Sequence, residues 1–127
     1  DEPICDIADV ERAAAIDGVG LCKLKLRRFG GLGALADALH RVRELGMEPV
    51  LGDGLACEIG GWMEACVARS TIRNAGEFNG FLKPTDGLLL NPMPFADGTL
   101  TIPAGFVPEI DRDRLDTMTV ESERFAA

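Results

Sequence analysis

The chain has 127 residues, with 21 acidic side chains against 13 lysines and arginines, for a formal net charge of −8. That is one domain's worth of chain, with 46% hydrophobic residues to build a core. No apolar run approaches the roughly 18 residues of a membrane span, and no secretory leader is visible, so a cytoplasmic setting and no membrane partner are expected. Counterion release needs concentrated positive charge, and an acidic chain without an arginine-aromatic cluster argues against nucleic acid. Cys5, Cys22, Cys57 and Cys66 form no C-x-x-C pair and His40 is the one histidine, which excludes zinc-ligand spacing. The cysteines read as small apolar fillers in a reducing compartment. The opening Asp1-Glu2-Pro3 enters a structured pattern at once without an initiator methionine, as expected of a fragment, a processed piece or half of a split chain.

In chain order, Asp6 to Asp17 reads as a helix, with Asp6 as N-cap, Val10, Ala13, Ala14 and Ile16 as the apolar stripe and Gly18 as the stop. Val19 to Leu26 alternates as a strand. Val19, Leu21, Lys23 and Lys25 share one face and Cys22, Leu24 and Leu26 the other. After a turn over 27–31, the spacing of Leu32, Leu35, Ala36, Leu39, Val42 and Leu45 predicts a second helix, closed by Gly46. A short strand over 48–53 follows. Ile59, Trp62, Met63, Cys66 and Val67 predict a third helix, and 77–82 a further short strand. This strand-helix alternation is the signature of a parallel sheet with crossover helices. Beyond Leu88 the prolines break helices, Asp97-Gly98 predicts a tight hairpin, and 111–127 reads as a polar surface tail or arm.

Three constellations could carry chemistry. Lys23 and Lys25 lie roughly 7 Å apart on one strand face. They are either two solvated lysines on an exposed strand end or groups facing a cavity at the carboxyl ends of parallel strands, where α/β folds place active sites. There a neighbouring cation and partial burial make a lysine a usable general base. Gly31-Leu32-Gly33-Ala34-Leu35-Ala36, with Asp53 at the end of the following strand, is the arrangement of a dinucleotide fingerprint, although Arg27 and Arg28 intervene before the glycines. Asp1 and Glu2 suit a hard cation such as Mg²⁺ but cannot build a whole site. Glu77 and Asn79 share a face if their stretch is extended, and His40 reads as a surface residue.

The order of parts resembles the last third of an enolase-superfamily enzyme of the muconate-lactonizing and dipeptide-epimerase branch. The parts are Asp1-Glu2, a strand ending in Lys25 five residues before Gly30-Gly31, a helix, a strand ending near Gly52, and Ile59-Gly60 opening the next helix. The resemblance implies the C-terminal portion of a (β/α)₈ barrel over 1–91, and a hairpin and arm over 92–127 packing toward a capping domain. It implies Mg²⁺ bound by Asp1, with Glu2 beside it, and Lys25 as acid/base with Lys23 as its electrostatic neighbour. Glu77, Asn79, Asp53 and Gly54 would contact a small carboxylate substrate. The implied reaction is removal of the substrate α-proton through an enediolate, in a racemase, epimerase, cycloisomerase or dehydratase acting on, for example, an amino or imino acid. The expected partners are that substrate, the missing N-terminal part or a second chain supplying it, and further copies in a homo-oligomer. Lys23 stands where the family often has asparagine, Ala56 where many relatives have glutamate, and Asn79 in place of an acid.

Overall fold

The computed structural model describes residues 2–54, 56–77 and 79–123, so Asp1 lies outside the described residues. The chain's first helix, α1 (Ile7–Ala14), begins where Asp6 accepts a hydrogen bond from the Asp9 N–H at 2.8 Å, satisfying a donor that has no partner inside the helix. It ends three residues short of the expected Asp17. Val10 is fully buried while Ile16 stays 61% exposed. We expect Asp6→Ala to cost about 1 kcal/mol, read as a shift in the urea midpoint at unchanged slope.

Strand β1 (Leu21–Lys25) then runs parallel to β2 (Glu48–Gly52), with Lys23 opposite Val50, Leu24 opposite Leu51 and Lys25 opposite Gly52. Parallel neighbours require a crossover, and α3 (Leu32–Glu44) supplies it. Its buried residues Leu35, Ala38, Leu39 and Val42 cover Cys22, Leu24 and Leu51 and complete one apolar core with Val10. The expected turn over 27–31 is instead mostly one helical turn, α2 (Leu26–Phe29). Gly30 closes it at φ 70°, a left-handed conformation that glycine adopts without steric cost.

Helix α4 (Glu58–Thr71) is where the periodicity misleads. The expected stripe included Cys66, which is exposed, whereas the buried positions are Gly61, Glu64, Ala65, Val67 and Thr71. The helix packs on α3 along one side and on a 3-10 turn (Gly80–Leu82) along another, which buries more than one stripe. The filler reading of the cysteines holds for Cys22 alone. Cys5, Cys57 and Cys66 are exposed, and all four are free thiols.

The expected strand over 77–82 shrinks to a single parallel bridge between Gly52 and Glu77. Glu77 N–H donates to Leu51 at 2.7 Å and Asp53 N–H donates to Glu77 at 2.9 Å. The Asp53 carboxylate then captures the Gly80 N–H, and the chain bends into the 3-10 turn instead of extending. The hairpin forms as expected, pairing β3 (Phe95–Ala96) with β4 (Thr99–Leu100) across Asp97 and Gly98, both at positive φ. The tail is not featureless. Asp111 caps a helix, α5 (Arg112–Met118), and Arg114 ties it to the Gly87 carbonyl at 2.8 Å. Among the described residues no helix is long and apolar enough to cross a membrane.

Candidate active site

The two-residue period of β1 decides which side chains reach the mouth of the sheet. Cys22 and Leu24 turn into the core, so Lys23 and Lys25 emerge on the opposite face at the carboxyl end of a parallel strand. The Lys23 amine lies 2.5 Å from Glu77 Oε2, and the Lys25 amine lies 2.6 Å from Glu2 Oε1. The Lys25 side chain is only 14% exposed, which sets aside the reading of a solvated strand end for that residue.

Glu2 also receives Arg28 on its second oxygen, with Arg27 at 3.8 Å. The bond from Lys25 above all, then that from Arg28, holds the Glu2 carboxyl down to about 2. Glu77 is likewise held below its ordinary range, chiefly by its bond to Lys23. Both carboxylates are therefore ionised at neutral pH. Glu2 thus gathers Lys25, Arg28 and Arg27, and Glu77 takes Lys23, so the mouth of the sheet holds four cations beside these carboxylates.

Gly52 is a site residue that the sequence reading did not single out. A Cβ there would lie 3.0 Å from Lys23 Cδ, so the bare backbone lets the lysine cross β2 toward Glu77. The signal available in the sequence was a glycine at the strand's end, just before Asp53. Gly54 plays a comparable part, since a Cβ there would fall 2.5 Å from Arg27 Cδ. Asp53 spends one carboxylate oxygen on the Gly80 N–H.

Glu77 and Asn79 do not share a strand face, because Asn79 already leads into the 3-10 turn. Both nevertheless line a cavity of about 580 Å³, together with Phe81 and Phe95, whose rings meet edge-to-face at 5.7 Å. His40 is exposed on α3, as expected. The dinucleotide arrangement is not reproduced. Helix α2 separates β1 from Gly31 and Gly33, whereas the fingerprint's first glycine lies in the turn directly after the strand.

A second residue missed by the sequence reading is Glu64 on α4. It is 2% exposed, and its carboxyl is pushed up to about 7 by burial first and by the neighbouring Asp53 charge second. As for Mg²⁺, Asp1 lies outside the described residues and Glu2 is committed to Lys25 and Arg28. Among the described residues no group of three or more candidate ligands converges. The donor set present does not by itself make a magnesium site.

A lysine-bearing parallel strand, its crossover helix and the adjoining strand make up one βαβ unit, the repeat from which α/β barrels and open parallel sheets are both built. The chain superposes on a muconate lactonizing enzyme from Klebsiella pneumoniae with a TM-score of 0.82 and 23% identity, over 94% of this chain and 35% of that one. It matches the muconate lactonizing enzyme from Pseudomonas putida at 0.79 and 26%, over 91% and 33%. It also matches an N-succinyl Arg/Lys racemase from Bacillus cereus ATCC 14579 at 0.79 and 19%, over 94% and 33%. The chain thus spans about a third of the length of these structures. No protein-family model and no curated protein sequence matches it. The fold is that of the C-terminal part of an enolase-superfamily enzyme.

Proposed function

We propose that this chain forms the proton-transfer wall of an enolase-superfamily enzyme that removes and returns the proton α to a small carboxylate. The observation that carries this reading is the placement of Lys25, a largely covered amine at the carboxyl end of a parallel strand, beside Lys23 and bonded to an ionised carboxylate. An α-proton beside a carboxylate is very weakly acidic, so its removal needs both a positioned amine and positive charge for the enediolate. Lys25 takes the proton, the carbon–hydrogen electron pair moves into the carboxylate, and Lys23, Arg27 and Arg28 supply positive field. The pair then collapses back onto carbon with a proton from a second acid on the opposite face, supplied by the rest of the barrel, or expels a β-hydroxide that leaves as water with the proton carried by Lys25.

Lys25 is bonded to Glu2, and once it carries the α-proton it is the donor for the reverse direction of the reaction. For removal, Lys25 first passes its proton to solvent so that the neutral amine faces the α-carbon, and the substrate carboxylate takes the place of Glu2 among the cations. Glu77 and Asn79 face the substrate from the cavity that they share with Phe81 and Phe95. The proposal includes Mg²⁺, with Asp1 among its ligands and the others outside the described residues; when bound, it would add charge to stabilise the enediolate. The partner is a polypeptide supplying the remaining barrel strands.

The test is exchange of substrate α-protons with D₂O, followed by proton NMR over a panel of N-acyl amino acids and 2-hydroxy acids. The chain is assembled with that polypeptide. Lys25→Ala is expected to lower exchange by about 10²- to 10⁴-fold. Exchange at the parent rate in Lys25→Ala would remove the lysine from this role.

A further inference from the structure

Burying a carboxyl group without donors is costly, yet Glu64 sits in the packed interior with its Oε2 unpartnered. Its surroundings explain what such a group could do. Helix α4 rests on the 3-10 turn through Gly61, where an added Cβ would come within 3.1 Å of Phe81 Cδ1, and Glu64 lies one turn further along the helix. Asp53, the half-buried residue that follows β2, holds the Gly80 N–H at the start of that turn with its carboxylate, and its charge is felt at Glu64. The turn itself, Gly80–Leu82, carries no charge. Helix α3 buries only Leu35, Ala38, Leu39 and Val42, and its Arg43 donates to the Thr71 carbonyl at the far end of α4. Among the described residues, Asp53 is therefore the charge whose field reaches Glu64.

We infer that Glu64 is a positioning residue whose protonated carboxyl lets the Asp53 carboxylate keep hold of Gly80, and so fixes the turn that follows Glu77 at the candidate site. Ionised, Glu64 would place a second negative charge within the field of Asp53, at a position enclosed enough that solvent screens the repulsion poorly. The repulsion is relieved when Asp53 turns away and releases Gly80. Burial and the Asp53 charge put this change near neutrality, at about 7. The placement of the 77–82 segment thereby becomes proton-linked while Lys23 and Lys25 stay where β1 puts them. The inference concerns how the segment is held and stands independently of the role proposed for Lys25.

The test needs no substrate. In the ¹⁵N-labelled full chain, the Gly80 amide resonance is followed from pH 5.5 to 8.5, with Asp53→Asn identifying its position when the carboxylate bond is absent. The expected result is a downfield, carboxylate-bonded position at low pH that is lost with a midpoint near 7. Glu64→Gln, and independently Glu64→Leu, should hold the resonance at its low-pH position across the range. A pH-invariant Gly80 in the parent chain would overturn the inference. So would an unaltered titration in either folded variant, with folding checked by far-ultraviolet circular dichroism.

Discussion

Replacing Leu24 by alanine is expected to destabilise the chain by about 2–5 kcal/mol, the range for deleting a leucine side chain from a packed core. Leu24 is fully buried, pairs in register with Leu51 and is covered by α3. Its loss leaves a void lined by side chains that two strands and a helix hold in place, so little collapse can fill it. Leu21→Ala is the internal control. It lies on the same strand at 65% exposure, and its truncation should change stability by less than about 0.5 kcal/mol. Urea unfolding of the two variants measures the contrast. Equal effects would mean that the alternation along β1 does not set which side chains form the core.

The second large effect has the opposite sign. Glu64→Leu is expected to stabilise the chain by about 1–3 kcal/mol at pH 8, because it removes a buried group that must ionise there at a cost. The folded-state carboxyl titrates at about 7, above its ordinary 4.5. Below the lower value both folded and unfolded chains carry the proton and the ionisation penalty is absent. Between the two values the unfolded chain releases its proton first, so parent stability falls as pH rises. Above 7 the full penalty applies. Urea midpoints at pH 4, 6 and 8 should show the variant's advantage growing with pH. An advantage that is the same at pH 4 and pH 8 would place the effect in packing and not in ionisation.

The parts of the fold that the sequence made legible are those in which one surface of an element meets one environment. In β1 a two-residue period separates Leu24 from Lys25 without ambiguity, because the strand has a core face and a mouth face. The same holds for α3, which lies on the sheet and buries Leu35, Leu39 and Val42 along a single stripe. Helix α4 defeated that logic because it meets α3 and the 3-10 turn on different sides. A charged residue, Glu64, is thereby enclosed at a position that a hydrophobicity pattern assigns to solvent.

The candidate site was legible to the same degree. Lys23 and Lys25 share one face, which needs only the strand period. Their pairing with Glu77 and Glu2 depends on contacts between segments 54 and 23 residues apart, which no local pattern encodes. The strand over 77–82 failed for a similar reason, since the pull of Asp53 on Gly80 is a contact made across 27 residues. Helix α5 was overlooked although its cue was local. Asp111 accepts from Arg114 N–H at 3.0 Å as an N-cap, but the segment offers too little apolar surface to announce a buried face.

Among the described residues, β1 is hydrogen-bonded to a neighbouring strand along one side only. A bare row of peptide donors and acceptors is a template that accepts almost any extended backbone, including a second copy of itself. Under the proposed function that open flank of β1 is the seam where the complementary polypeptide would add the preceding strand, so the two pieces would be stitched together by main-chain hydrogen bonds next to the amines.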